Sequence, residues 1–167
     1  MAVSDGWMGD SDIHPIDIVQ SLAAAADWDF DRVAEDQIAM TVTGQWRDYA
    51  ITLAWSAGDQ VLRILSTFEL SPPAGRLPAL HEALNLANDQ LWDGSFTHWA
   101  DQGLMVWRYG LVLAGDQIAQ PEQIERMIAA AVEGPERFYP AFQLACWGDQ
   151  TPAQAMGVAI AQAYGRA

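Results

Sequence analysis

The chain has 167 residues, 51% of them hydrophobic, with 22 acidic side chains against 8 basic ones and a net charge of −14. That charge repels phosphate backbones, which excludes nucleic acid as a natural partner. All 8 basic residues are arginines, so every mechanism that needs a lysine amine is excluded as well, Schiff-base chemistry and the phosphate-binding loop among them.

Residues 1–10 are polar and glycine-containing and read as a flexible N-terminus, leaving 11–167 as a single domain. Ser11 or Asp12 is a candidate cap for a first helix, with Pro15 in its first turn; Ile16, Val19, Leu22, Ala23 and Ala26 recur at helical spacing up to about Asp27. Three runs of period two follow. Ile38, Met40 and Val42 alternate with Ala39, Thr41 and Thr43; Tyr49, Ile51, Leu53 and Trp55 alternate with Ala50, Thr52 and Ala54; Leu62, Ile64, Phe68 and Leu70 form a third apolar set. Their short, turn-like connectors predict an antiparallel three-strand meander. Residues 28–35 are a candidate for a short leading strand, and the meander is counted without it.

The breaker Ser71-Pro72-Pro73-Ala74-Gly75 ends the sheet pattern. Leu77, Leu80, Leu84, Ala87 and Leu91 then mark one face of a second helix, for which Asp93-Gly94 supplies a stop. Residues 95–99 and 104–113 form a hairpin around Ala100-Asp101-Gln102-Gly103. Pro121 opens a third helix, striped by Ile124, Met127, Ile128, Ala131 and Val132, that Gly134-Pro135 should break or kink. Phe138, Tyr139, Phe142 and Cys146 resume the helical spacing. Thr151-Pro152 begins a last helix carrying Ala155, Met156, Ala159 and Ile160, with Gly165 after its end. The order α-βββ-α-ββ-α-α predicts an α+β fold: a five-stranded antiparallel sheet, meander plus hairpin, with the helices on one face.

Motifs that carry chemistry are mostly absent. The segment His81-Glu82-Ala83-Leu84-Asn85 starts like a zinc-protease helix but has Asn85 where the second histidine ligand belongs. Asp27, Asp29 and Asp31 resemble the first ligands of a calcium loop, yet Arg32 and Ile38 occupy the positions of its glycine and its bidentate glutamate. A solvated strand face with Trp28 and Phe30 turned inward explains the same residues. Cys146 is the lone cysteine, so no intramolecular disulfide forms, and between Ala145 and Trp147 it reads as a packed thiol with no adjacent cation. The first residues lack a cationic segment followed by an apolar one, and no apolar run is long enough to cross a bilayer. These features predict a cytoplasmic, non-enzymatic protein with no cofactor and no membrane contact.

The second strand of the hairpin is apolar on both sides, with Leu104 and Val106 on one and Met105, Trp107 and Tyr109 on the other. Such a strand is either covered on both faces or part of an interface. Aromatic residues and methionine are common interface anchors. Met105, Trp107, Tyr109, Trp92 and Trp99 are therefore the candidate partner-binding or dimer surface.

The chain resembles the YbjN family of bacterial sensory transduction regulators. The matching residues are Ala83-Leu84-Asn85-Leu86-Ala87-Asn88, Gly94-Ser95-Phe96, Gly103 through Val106, Arg108-Tyr109-Gly110-Leu111-Val112-Leu113 and Arg137-Phe138-Tyr139-Pro140-Ala141-Phe142, and their order and spacing carry more than any one of them. The resemblance implies a fold similar to type III secretion chaperones, small acidic proteins, commonly dimeric, that bind segments of partner proteins. It implies a protein partner and a homodimer, and it offers no catalytic motif; Asn88, Gly94 and Phe96 read as a helix end, a turn and a core aromatic. The leading expectation is a protein-binding regulator. The alternatives are a dedicated secretion chaperone, or an enzyme with a site assembled from distant residues such as Cys146 and a histidine.

Overall fold

The computed structural model describes residues 13–164. In chain order the elements are α1 (Pro15–Ala25), β1 (Asp29–Ala34), β2 (Gln37–Thr43), β3 (Asp48–Ser56), β4 (Val61–Glu69), α2 (Leu77–Asp89), β5 (Ser95–Trp99), β6 (Leu104–Val112), α3 (Pro121–Trp147) and α4 (Pro152–Tyr164). The predicted residues 1–10, the caps Ser11 and Asp12, and Gly165 lie outside the described residues.

The strands form one antiparallel sheet in the order β1-β2-β3-β4-β6-β5, so the α+β antiparallel reading holds with six strands in place of five. The extra strand is residues 28–35 in its observed form, β1. Its period is masked by charge at an inward position: Phe30 pairs with Met40 and Arg32 with Ile38 on the side facing the helices. Arg32 is tolerated there because α1 supplies its partners, Asp17 at 2.5 Å and Gln20 at 3.0 Å. The same hydrogen bond holds the Asp17 carboxyl below its ordinary range.

Each helix buries the face its sequence spacing predicts. In α1 the buried residues are Ile16, Val19 and Ala23, and the cap is His14, whose Nδ1 accepts from the Ile16 amide at 3.1 Å. In α2 they are Leu80, Ala83, Leu84 and Ala87. That helix ends at Asp89, ahead of the predicted stop. Gly94 instead lies beyond the helix with φ +82°, where an added Cβ would run into the Trp107 indole. The third helix does not break at Gly134-Pro135; α3 runs unbroken through Pro135 and Pro140. Proline removes a helical hydrogen bond, and here burial of Ala131, Gly134, Pro135, Phe138 and Tyr139 along one stripe offsets that loss. Gly134 also makes room for Trp107, whose Nε1 would be 3.1 Å from a Cβ at that position.

The core lies between one sheet face and the helices. Ile38 and Met40, then Tyr49, Ile51 and Leu53, then Leu62, Ile64 and Phe68, then Met105 and Trp107 are buried in alternation along successive strands. Above them, α1 packs on β1 to β3, α3 on β4 and β6, and α2 on β5, while Ala155, Met156 and Ala159 of α4 are buried against α2 and α3. This placement corrects the expected association surface. Met105 and Trp107 are fully buried inside the chain's own core and offer nothing to a partner. The strand is apolar on that side because it is a core strand.

Candidate functional site

Among the described residues the helices all lie on one side of the sheet, and no helix covers its opposite face. On it β4 presents Val61, Arg63, Leu65, Thr67 and Glu69, and β6 presents Leu104, Val106, Arg108, Gly110 and Val112. The register sets Val61 against Val112, Leu65 against Arg108, Thr67 against Val106 and Glu69 against Leu104; on the other side of β6, Thr97 faces Val106 and Trp99 faces Leu104. Val106 is fully buried without a helix above it, shielded by these neighbours. Leu65, Trp99 and Leu104 are half-buried around it, and Val112 is 64% exposed. The β2 and β3 part of the same face carries Thr41, Thr43, Ala50 and Thr52 and reads as an ordinary solvated surface.

Charge is distributed unevenly around the apolar centre. Arg63 lies opposite Gly110, two positions along β6 from Arg108, so the two guanidinium groups share one end of the patch. At the other end stand Glu69 and, on β3, Asp48, two residues beyond the Ala50–Thr67 pair. Arg63 also pairs with Asp59 at the β3–β4 turn, an exposed ion pair of little energetic weight.

Of the five residues proposed from sequence, three reach the surface, in two different places. Trp99 is on the uncovered face. Tyr109 is half-buried on the helix side of β6, stacked on Trp107 with ring centroids 6.4 Å apart, where it lines a cleft under α3. Trp92 is 102% exposed, next to Asp93 of the same cleft. Sequence reasoning passed over Arg63, Leu65, Glu69 and Arg108, whose alternation was visible but whose face was not. The residues that carry the family resemblance form one structural unit: the Asn88 side chain accepts from the Phe96 amide at 2.6 Å and donates to the Phe96 carbonyl at 3.1 Å, tying the end of α2 to β5. Phe96 packs edge-on against Phe138 and Phe142.

Of the histidines and the cysteine, two histidines are held in hydrogen bonds and the cysteine is buried, while His81 is exposed on α2. His14 caps α1 and His98 Nε2 bonds the Leu70 carbonyl at 2.8 Å. Among the described residues, no cluster of three or more His, Cys, Asp or Glu could hold a metal ion. Cys146 is 1% exposed, and burial pushes its thiol up to about 11, with Arg76 opposing only in part. A thiol raised to that extent is protonated at neutral pH and a poor nucleophile. Iodoacetamide at pH 8 is therefore expected to leave Cys146 unmodified in the folded chain and to alkylate it fully in urea, as read by mass spectrometry. Rapid labelling of the folded protein would contradict the assignment of this residue to the core.

The profile of the YbjN family, described as "Putative bacterial sensory transduction regulator", matches residues 15–144. No curated protein matches the sequence. Among solved structures, YbjN from E. coli, described as a putative transcription regulator, superposes with a TM-score of 0.51 at 14% identity, over 90% of this chain and 93% of that one. A chain of the HopA1–SchA chaperone–effector complex aligns with a TM-score of 0.49 at 14% identity, over 71% of this chain and 87% of that one. No helix among the described residues is long and apolar enough to cross a membrane.

Proposed function

Since the chain belongs to the YbjN family, we propose that it acts as a non-enzymatic, cytoplasmic protein-binding regulator that pairs with a second copy of itself through the uncovered face of its sheet. The observation that carries this reading is the pattern on that face: an apolar centre at Leu65, Trp99, Leu104 and Val106, two arginines at one end and two acids at the other. A two-fold rotation sets the arginine end of one copy against the acidic end of the other, which is what an isologous interface requires. A partner with a uniformly basic surface would meet Arg63 and Arg108 unfavourably, and a uniformly acidic one would meet Glu69 and Asp48. Packed half-buried aliphatic and aromatic side chains supply the apolar centre such a contact needs.

The test is a charge swap read by sedimentation over a concentration series. Wild type is expected to dimerise, Arg108→Glu to weaken the dimer by roughly tenfold or more, and Arg108→Glu with Glu69→Arg to regain most of it. A wild-type chain that stays monomeric at every concentration, and recovers no stoichiometric protein as bait, contradicts the reading.

A further inference from the structure

Sheet edges are templates for a further strand unless something blocks them, and this sheet blocks two of its three exposed stretches. Along β1, Asp29 and Asp31 place charge on the edge strand, and the pairing slips between Arg32 and Ala34. Along β5, the Asn88 amide occupies both the N–H and the C=O of Phe96. The third stretch is on β6. Strand β5 pairs with β6 only from Leu104 to Arg108, while β6 continues to Val112 with β4 on its other side. The Leu113 amide donates to the Gln60 carbonyl at 2.8 Å, and the Gly103 carbonyl accepts from Leu70 at 2.9 Å, so odd-numbered residues turn their polar groups toward β4. By the alternation of an antiparallel ladder, Gly110 and Val112 turn theirs the other way, where β5 has ended. Neither a charge nor a proline interrupts Tyr109-Gly110-Leu111-Val112.

Beside this edge, on the helix side, lies a cleft of about 450 Å³ with Tyr109, Leu111, Met127 and Ala130 among its lining and the exposed carboxylates Asp93 and Glu122 at its rim. Arg126 on α3 is the one cation among the lining residues. A strand laid along Gly110 and Val112 would direct alternate side chains into that cleft.

We propose that the open half of β6 receives an extended segment of a partner protein, which adds a strand where β5 stops and places an apolar side chain in the Tyr109–Met127 cleft, with basic residues two positions away on either side, on the face of Asp93 and Glu122, and neutral residues between them on the face of Arg63 and Arg108. This deepens the protein-binding reading above and rests on it. The charge selects the occupant: a chain of net charge −14, with Asp93 and Glu122 at the cleft, attracts a basic segment. A second copy pairing here would bring those same carboxylates together with their own images.

The probe is a synthetic peptide with lysine, serine, valine, serine and lysine in succession, titrated into the full chain. Binding is read by fluorescence anisotropy and the site by amide hydrogen exchange. The expected result is new protection at Gly110 and Val112 and no change along β1. In Val112→Pro the missing N–H is one that makes no ladder bond in the free chain, so the fold, checked by circular dichroism, is retained, and the same peptide binds roughly tenfold or more weakly. If proline disturbs the strand, Asp93→Lys with Glu122→Lys, both exposed, tests the charge arm and should weaken binding comparably. Unchanged affinity in a folded Val112→Pro, or protection at β1 instead, overturns the proposal. Failure here with an intact dimer leaves the face-to-face reading standing, and a monomeric chain that still binds the peptide at β6 overturns only that reading.

Discussion

Trp107→Ala is expected to lower the stability of the fold by about 3–5 kcal/mol, the range for removing a fully enclosed large aromatic, read as a fall in the urea midpoint. Trp107 has no exposed surface. It faces Phe96 and Ser66 across the two neighbouring strands, stacks on Tyr109, and fits against Gly94 and Gly134, neither of which could carry a side chain without pressing on the indole. With two glycines and a buried serine around it, the site has few side chains able to collapse into the space the ring leaves. The indole N–H has no hydrogen-bond partner among the described residues. Volume is therefore what Trp107 supplies, and Trp107→Phe should retain most of the stability that alanine loses. A cost below about 1 kcal/mol for alanine, the ordinary range for surface positions, would return Trp107 to the surface role first expected of it.

The second large effect is at Glu136. Its carboxylate accepts from the Tyr49 hydroxyl at 2.5 Å, the Gln45 amide at 2.9 Å and the Trp46 amide at 3.1 Å, fastening the β2–β3 turn to α3. Gly44 comes so close to this carboxylate that a Cβ there would overlap it. Burial, and then the bond to Glu136, push the Tyr49 hydroxyl well above its ordinary range, so it stays a donor at any pH the fold meets. Glu136→Ala strands that buried hydroxyl and frees two turn amides, at an expected cost of about 2–4 kcal/mol. Tyr49→Phe removes donor and demand together and leaves a half-buried carboxylate with its two amides, at about 1 kcal/mol. The order is the test: urea midpoints that place Tyr49→Phe at or below Glu136→Ala would contradict the role given to this carboxylate.

The fold was legible wherever burial followed a simple period. The alternation of Ile38 to Val42 and Tyr49 to Trp55, and the helical stripes beginning at Ile16, Leu80 and Ile124, each became the element their spacing predicts, because one face packs on the core. Where a tertiary partner changed the local rule, legibility failed. The strand over residues 28–35 was legible only as a candidate and stayed out of the count, because Arg32 stands at an inward position and its partner lies on α1. Gly134-Pro135 did not end α3 because packing outweighed the lost hydrogen bond. The family resemblance was carried by residues such as Asn88 and Phe96, whose mutual hydrogen bonds are invisible in a sequence but explain why they occur together.

The candidate site was legible only by half. Period two separates Leu104, Val106 and Arg108 from Met105, Trp107 and Tyr109, but says nothing of which set lies beneath the helices. The larger, more aromatic set has the composition of an interface, but large aromatics are also what a core buries first. Cross-strand register was the missing information. Once Leu65 is set against Arg108 and Trp99 against Leu104, the arginine and acidic ends of the uncovered face become a single pattern.

That account separates the tryptophans, so oxidative footprinting of the chain, dilute and concentrated, tests it most directly. Trp92 is expected to react at both concentrations, Trp99 to react when dilute and become protected on association, and Trp107 to resist at both. Trp107 reactive in the dilute chain and protected on association, with Trp99 unchanged, would contradict it by showing that the pairing face is the one assigned to the core.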